Sequence, residues 1–408
     1  MTKDSKVQLP VLVAGGGVAG ISAALDLARA GKTVHLIERK ASLGGQVASL
    51  DKLYPTDHCA FCPLWTEIRS CVLHKNIVLH TLTEIRTVEE IDGSLEVRLA
   101  QSPRYIDASR CILCGRCVPK CPVSAISSGP EHAYPQTYVI DPQACTRCGD
   151  CVDICPTAAI DITGELSQST ILAGEIIWAT GFQDVDISPL EDYGYGTHPN
   201  ILTSLEFEEL TAESGVNKGA ILTRNGAKPK RIAFIQCAGA RDLRLFPYCS
   251  AVCCMHALKQ AQWVKRRSPE IECTIFYTDL RAEGRHYYTY YLREIGSGAI
   301  ELLRSRPGLI YTLPDGSGIA VTYEDTSTQK RLIRVYDMVV LNGALKPSLT
   351  SGQPDLAGLT DEEGLMKGSY SRMYPCGFCR EPMDVEASVV QASAASLEVF
   401  LGGSSHGK

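Results

Sequence analysis

The sequence predicts an α/β protein: two β-α-β units of dinucleotide-binding type, the first of them interrupted by a small cysteine-rich module. Three observations predict it. A glycine-rich turn joins a short apolar run to a helix-like segment within residues 11–30, two copies of one four-cysteine spacing lie between Cys111 and Cys155, and a second strand-like run begins at Arg231. At roughly 150 residues per domain, 408 residues allow two or three domains. Apolar residues make up 45% and charged residues 21%, a mix that supplies ample core and excludes collagen-like, coiled-coil and extensively disordered architectures. Forty basic against 46 acidic residues give a net charge of −6, with no basic footprint for nucleic acid. The opening MTKDSKVQLP carries no apolar signal core, and the longest apolar runs fall far short of about 18 residues. The expectation is a cytoplasmic protein without membrane insertion of its own, brought to a membrane only by a partner.

The first element is the apolar run Val11-Leu12-Val13-Ala14, a buried strand. It enters Gly15-Gly16-Gly17-Val18-Ala19-Gly20 and then a helix from Ile21 to Ala30, with Gly31 at its end and a second strand from Thr33 to Ile37. This is G-x-G-x-x-G in the setting that gives it meaning, strand before and helix after, with Glu38 closing the second strand. Gly15 permits the tight turn, Gly17 lets the backbone approach a pyrophosphate, and Gly20 lets helix and strand pack closely. Val18 and Ala19 belong to this cofactor-binding turn, and the N-terminus of the helix that follows faces the phosphate charge. Glu38 is expected to accept hydrogen bonds from a ribose diol. Glu38-Arg39 and Gly44-Gly45 resemble the extended motif of two-dinucleotide-domain flavoproteins, and Gly174-Glu-Ile-Ile-Trp-Ala-Thr180-Gly181 resembles the strand by which such chains return to their FAD domain. Those resemblances favour FAD over NAD.

The second element is read from cysteine. Eighteen cysteines without an export signal point to metal ligands or redox groups more than to structural disulfides. Cys111-x2-Cys114-x2-Cys117-x3-Cys121-Pro and Cys145-x2-Cys148-x2-Cys151-x3-Cys155-Pro are each the bacterial ferredoxin run, in which the fourth cysteine ligates the other cluster. The expected ligand sets are Cys111, Cys114, Cys117 with Cys155, and Cys145, Cys148, Cys151 with Cys121, each fourth cysteine opening a short helix. A flavin accepts two electrons and releases them singly, so it joins two-electron chemistry to a one-electron wire of clusters.

The third element begins with the strand Arg231 to Ile235. A pyridine-nucleotide flavoenzyme carries a second G-x-G-x-x-G here; this chain has Gln236-Cys237-Ala-Gly-Ala-Arg-Asp242, and Gly296-x-Gly298 and Gly316-x-Gly318 lack the rest of the pattern. The nicotinamide site is read as absent. Cys237, Cys249, Cys253 and Cys254 stand in its place, before a helix from Val252 to Lys265. Four thiolates ending in an adjacent pair suit a cluster better than a disulfide, because adjacent cysteines rarely reach disulfide geometry; buried thiols packing as small hydrophobes are the plainer alternative.

The segments Gln236-Cys-Ala-Gly-Ala-Arg-Asp, Pro247-Tyr-Cys-Ser-x-x-Cys-Cys-Met and Pro382-Met-Asp-Val…Gln391-Ala-Ser-Ala-Ala resemble the A-subunit family of heterodisulfide reductases, with the likeness running over nearly the whole chain. The nearest form is the short one represented by the A-subunit of the quinone-interacting membrane-bound oxidoreductase complex. The resemblance implies a thioredoxin-reductase-like flavoprotein with an inserted two-cluster ferredoxin, carrying FAD, two [4Fe–4S] clusters and a third held by Cys237, Cys249, Cys253 and Cys254. It implies work inside a hetero-oligomer, with a second flavin/iron–sulfur subunit and a membrane quinone-reactive subunit as partners, in sulfur or quinone-linked energy metabolism. The long cluster-bearing extensions of the methanogen-type subunit are not in this sequence. Gly377-Phe378 stands where the wider flavoprotein class has Gly-Asp, and Asn342-Gly343 where it has Thr-Gly; Pro382 and a helix from Asp384 to Val399 remain to meet the flavin.

The expected segments are 1–102 for the first part of the FAD domain, 103–165 for the ferredoxin, 166–228 for the FAD-domain return, 229–345 for the second α/β domain and 346–408 for the final FAD-domain return. Cys59, Cys62 and Cys71 lack a nearby fourth ligand; Cys376, Cys379 or a partner's residue would complete a metal site, with a redox dithiol or simple packing as alternatives. Cys273 reads as core. His58, His256 and His286 are assigned no catalysis, and the tyrosine-rich run 287–291 reads as core packing before docking surface. Two other functions remain open at this level: a self-sufficient NAD(P)H-dependent flavoprotein like the small subunit of glutamate synthase, and a scaffold that only conducts electrons.

Overall fold

The computed structural model describes residues 9–129, 133–213, 215–282, 285–296, 298–350, 358–368 and 372–402. Most of the opening stretch MTKDSKVQLP lies outside them. Contacts divide the chain into two compact units, one of residues 1–48, 61–182 and 347–408, the other of residues 49–60 and 183–346.

In the first unit five parallel strands run in the order Met373–Pro375, Glu175–Trp178, Val11–Ala14, Val34–Ile37, Ile77–His80. Val11–Ala14 is central and buried along its whole length, which is why it reads as an unbroken apolar run rather than an alternating one. The helix Val18–Arg29 is rich in alanine on its buried face, so it lies close to the sheet; Gly31 at φ +89° ends it. The C-terminal helix Val385–Phe400 is capped by Asp384, whose Oδ1 accepts from Ala387 N at 2.8 Å, and packs along Val18–Arg29.

The ferredoxin-type module leaves this unit after the strand Ser94–Gln101 and returns at Ser167–Ala173. Those two strands pair antiparallel with Gln101 opposite Ser167, so the insertion starts and ends at one point of a three-stranded sheet completed by Thr83–Ile91. The module is an internal two-fold repeat. Asp107 N donates to Ala159 O at 2.8 Å and Asp141 N to Ala125 O at 2.9 Å, while Leu113 and Arg147 share a positive φ of 56° and 55°. In one detail the structure differs from the expectation. The short helical turns Val118–Lys120 and Asp150–Asp153 run into Cys121 and Cys155, so the fourth cysteines close helical turns instead of opening them.

The second unit repeats the plan with parallel strands in the order Ile201–Thr203, Met338–Gly343, Arg231–Ala238, Glu272–Tyr277, Ile300–Arg304, and an antiparallel sheet of Leu309–Thr312, Ile319–Asp325 and Lys330–Tyr336. Its limits differ from the expected 229–345. Ile201–Thr203 is an edge strand of this sheet, which draws residues 183–228 into the unit. Residues 49–60 join through polar anchors: Asp51 N donates to Glu208 Oε1 at 3.1 Å, Lys259 Nζ to Lys52 O at 3.0 Å, and Tyr290 OH to Asp57 Oδ1 at 2.8 Å. The tyrosine run divides by helical face: Tyr290 is buried and Tyr288 exposed. Cys273 is buried in its strand, as expected of packing. At the end of the helix Cys253–Arg267, Arg266 and Arg267 pair with Asp57 and Glu213, and Arg267 lies 4.1 Å over the Trp263 ring.

Lys259 and Glu208 form a buried ion pair at 2.6 Å, with Gln260 Nε2 donating to Glu208 at 3.0 Å. Burial alone would raise the Glu208 carboxyl; the Lys259 ammonium and then His256 outweigh it and hold the group well below its ordinary 4.5. Lys259→Ala, which strands the carboxylate, is expected to cost about 3–5 kcal/mol in urea unfolding, and Glu208→Gln with Lys259→Met to recover most of it. With the folded carboxyl depressed, the pair's contribution is complete above about pH 4.5 and declines as pH falls below that value; the double variant is expected to lose this acid dependence.

Candidate cofactor sites

The glycine turn of the first unit is fixed by backbone proximity. A Cβ on Gly20 would lie 1.8 Å from Gly15 O, and one on Gly15, at φ +115°, 2.3 Å from Ala179 O. Gly44 N donates to Gly16 O at 2.9 Å, and a Cβ on Gly45 would meet Gly17 Cα at 2.8 Å, so the Gly44-Gly45 loop lies directly against the turn. Gly17 has room: the nearest atom to an added Cβ is 3.7 Å away. The open side of Gly17 is where a phosphate group would approach the backbone.

Glu38 is buried, and both its oxygens accept backbone N–H groups, from Gly16 at 2.7 Å and Lys40 at 2.7 Å. Burial pushes its carboxyl up, and these two donors pull it back. The carboxylate retains lone pairs for a diol while it also clamps the turn, a second role that the motif does not reveal. A cavity opens beside it, lined by Gly15, Glu38, Arg39, Trp178, Thr180 and Leu349 among others, and the buried Trp178 Nε1 has no partner among the described residues. A dinucleotide with its flavin fits this cradle of bare backbone, acid and unpaired indole. Sequence reasoning missed the contributions of Thr83–Arg86 and Ser348-Leu349 to the wall, because they come from distant segments without motifs.

At the C-terminal turn Gly377, at φ +71°, approaches Ala19 so closely that a Cβ would stand 3.1 Å from it, and Phe378 packs on Phe182 with ring centroids 4.7 Å apart. Thr180, Gly181 and Pro382 are half-buried; Thr180 lines the cavity.

In the inserted module Cys111, Cys114, Cys117 and Cys155 line one small pocket, together with Gly115 and Tyr138. These are the four cysteines of the first expected ligand set. Cys151 lies in electrostatic reach of Cys145 and Cys148, and Cys121 packs in the same core. Backbone N–H groups point at the sulfurs in two-fold fashion, Ala125 N to Cys121 Sγ at 3.1 Å and Ala159 N to Cys155 Sγ at 3.3 Å, the kind of donor that sets a cluster's potential. Among the described residues no three His, Cys, Asp or Glu converge as around a single metal ion, the ferredoxin cysteines included.

In the second unit the strand Arg231–Ala238 is bulged between Ile235 and Ala238, and Cys237 takes φ +58°. A bulge re-aims a side chain, and here it belongs to a cysteine at the carboxyl end of a parallel sheet. Residues 239–252 then intervene before the helix Cys253–Arg267, where a nucleotide-binding unit would turn straight into its helix. Cys237, Cys249, Cys253 and Cys254 lie in mutual electrostatic reach. Cys253 Sγ donates to Gly343 O at 3.7 Å and Cys254 Sγ to Asp279 O at 3.7 Å, while Cys249 Sγ accepts from Ala251 N at 3.3 Å. Burial pushes the Cys254 thiol up to about 11, which makes it a poor free nucleophile. Gln236 and Asn342 are buried on adjacent strands beside Cys237 and Gly343, with no partner for either amide among the described residues. Unpaired buried amides flanking four thiols fit a site built for an added group.

The remaining cysteines do not assemble as one of the sequence readings had it. Cys62 and Cys71 share the helix Phe61–Leu73, but nine residues at about 100° each set them on opposite faces, Cys62 exposed and Cys71 buried. Cys376 and Cys379 are both fully buried in the first unit. His58 and His286 are exposed, and His256 joins the Glu208 network at 3.3 Å.

Three family profiles match segments of the chain. A family profile described as FAD dependent oxidoreductase matches residues 10–83, and two described as 4Fe-4S dicluster domain match residues 110–159 and 137–254. The fold is similar to that of the thioredoxin reductase of T. acidophilum, with a TM-score of 0.56 at 14% identity, covering 97% of this chain and 99% of that one. The molecule has a thioredoxin-reductase-like fold whose first unit matches the FAD dependent oxidoreductase profile and carries an inserted 4Fe-4S dicluster domain. More narrowly, the chain is similar to A-subunits of heterodisulfide reductases. It is 39% identical to the second iron-sulfur A-subunit of the CoB–CoM heterodisulfide reductase of Methanopyrus kandleri over 94% of its own length, and 36% identical to the A-subunit of the H(2)/formate:CoB-CoM heterodisulfide,ferredoxin reductase of Methanococcus maripaludis over 96%. The chain spans 63% of the length of each. Among the described residues no helix is long and apolar enough to cross a membrane.

Proposed function

We propose that this chain passes electrons between partner redox subunits through FAD and three [4Fe–4S] clusters, in the manner of a heterodisulfide-reductase-like complex. One observation carries the proposal: the dicluster module is built into the flavin unit and tied to its cofactor loop. Leu43 N donates to Tyr134 O at 2.6 Å and Tyr134 N to Leu43 O at 3.2 Å, immediately before Gly44-Gly45, and Arg104 Nη2 bridges Ala41 O and Thr81 Oγ1. This fixes the module against the loop that meets the dinucleotide.

Bound FAD would supply exchange between electron pairs and single electrons. The residues have separable tasks. Gly15, Gly17, Gly20, Gly44 and Gly45 admit the pyrophosphate to bare backbone, and Val18 and Ala19 present the helix N-terminus to its charge. Glu38, with Arg39 beside it, receives the ribose; Thr180, Gly181 and Pro382 bound the flavin end. The eight ferredoxin cysteines hold two clusters. Cys237, Cys249, Cys253 and Cys254 hold a third, which the profile match ending at residue 254 supports. The redox partners would be a second flavin/iron–sulfur subunit and a membrane quinone-reactive subunit, as for the short form found in the quinone-interacting membrane-bound oxidoreductase complex, with sulfur or quinone-linked metabolism as the setting.

Anaerobic titration tests this. NADH or NADPH is expected to leave the flavin band intact, and dithionite to bleach flavin and clusters together. Prompt bleaching by stoichiometric NADH or NADPH would show a working nicotinamide site and favour a self-sufficient oxidoreductase instead.

A further inference from the structure

Cys376 and Cys379 are the chemistry-bearing pair that the proposed electron path leaves unused. They stand at the two ends of the turn Gly377–Cys379, with Cys376 as its N-cap. Cys376 leads into the turn in extended conformation, and Cys379 Sγ comes back to 3.2 Å from Cys376 O. Both thiols are 0% exposed, and each lies in the other's electrostatic reach. The turn is held rigidly: Cys376 N donates to Trp178 O at 2.8 Å, Gly377 N to Gln391 Oε1 at 2.6 Å, and Met366 N to Cys379 O at 2.7 Å.

The two sulfurs are not equivalent. Cys379 Sγ lies against Thr180 and Gly181, whose backbone groups, with the Thr180 hydroxyl, favour its thiolate and partly offset burial. Around Cys376 the Arg380 charge is the one favourable influence among the described residues, and burial leaves its thiol well above the ordinary range. Of two thiols that burial pushes up, Cys379 is thus the more readily deprotonated, and an inequality between the two sulfurs is what Cys-x-x-Cys redox pairs work on. Cys379 Sγ also donates to Trp178 O and Cys376 O, and the first of these carbonyls keeps its bond from Cys376 N when the S–H is lost.

The placement names the electron partner. Thiols without exposed surface cannot meet a soluble disulfide or a partner's cysteine, so exchange must be with a group inside the same unit. Thr180 touches Cys379 on one side and lines the dinucleotide cavity on the other, and Gly377 between the two cysteines packs on Ala19 of the glycine fingerprint. We propose that Cys376 and Cys379 form a reversible disulfide that exchanges an electron pair with the FAD of this unit. In the oxidative direction two S–H bonds break, one S–S bond forms, and two electrons and two protons pass to oxidised flavin, which becomes fully reduced flavin. The reverse step returns both thiols. The pair is thus a two-electron store beside the point where pairs are split. This rests on FAD occupying the cavity, as proposed above.

The FAD- and iron-loaded protein provides the test. Trypsin releases Met373–Arg380, which contains both cysteines and no other. Aliquots are oxidised anaerobically with ferricyanide or reduced with dithionite, quenched in acid, alkylated and mapped by mass. The expected result is an unalkylated disulfide peptide after oxidation and a doubly alkylated one after reduction. Cys379→Ser, at unchanged flavin and iron content, is expected to take up two fewer electron equivalents in a dithionite titration. Double alkylation in the oxidised sample would overturn the proposal, as would a Cys376→Ser or Cys379→Ser protein that loses iron, since the pair would then be ligands. Preparations without flavin or iron would instead overturn the cofactor reading on which this one stands.

Discussion

Gly20→Ala is expected to yield protein without flavin. The added methyl would stand 1.8 Å from Gly15 O, where helix and central strand touch, and neither is free to retreat: Val11–Ala14 is hydrogen-bonded in register on both sides, and Val18–Arg29 is held from behind by the C-terminal helix. Overpacking of this kind costs about 3 kcal/mol, and the displaced helix no longer presents its N-terminus to the pyrophosphate. Loss of the flavin absorption band on purification, with a lower melting temperature, checks it. Gly17→Ala separates the two effects. Its methyl meets nothing nearer than 3.7 Å in the protein, so the melting temperature of the flavin-free form is expected to shift by less than about 2 °C, while flavin is lost because the methyl occupies the phosphate's approach.

Cys254→Ser is expected to remove one cluster and leave the rest. Iron should fall from about 12 to about 8 per FAD, with the ferredoxin signals of the reduced protein unchanged in electron paramagnetic resonance. The separation holds because the eight ferredoxin cysteines belong to the first unit and Cys237, Cys249, Cys253 and Cys254 to the second, each with its own hydrophobic core. Serine keeps the size of the side chain at the start of the helix Cys253–Arg267, so folding should survive. Iron unchanged in this variant, with the flavin retained, would reduce the four thiols to packing residues.

Some parts of this molecule are legible in its sequence and others are hidden for physical reasons. The glycine fingerprint and the ferredoxin repeats are readable because their chemistry is local: tight turns, close backbone approach and cluster loops each require particular residues at short spacing. Even there the structure adds what spacing cannot show, such as Glu38 clamping Gly16. The unit boundary at 182/183 is not legible, because Ile201–Thr203 is a three-residue edge strand defined only by pairing with Met338–Gly343. Residues 49–60 carry no core-forming pattern and join the second unit through scattered contacts, such as Asp57 with Tyr290 and Tyr54 against Tyr287. The Lys259–Glu208 pair sits on two helices distant in sequence, and nothing in either helix marks it as buried. Cys376 and Cys379 are visible as a motif but undecided in role, since burial and the neighbourhood of Thr180 are three-dimensional facts.

That one chain unites a flavin with three clusters is tested most directly by measuring iron, acid-labile sulfide and FAD on anaerobically purified protein. About 12 iron and 12 sulfide per FAD are expected. A ratio near 8 would confine the clusters to the ferredoxin module and contradict the site of Cys237, Cys249, Cys253 and Cys254, and iron without flavin would contradict the assignment of the glycine cradle.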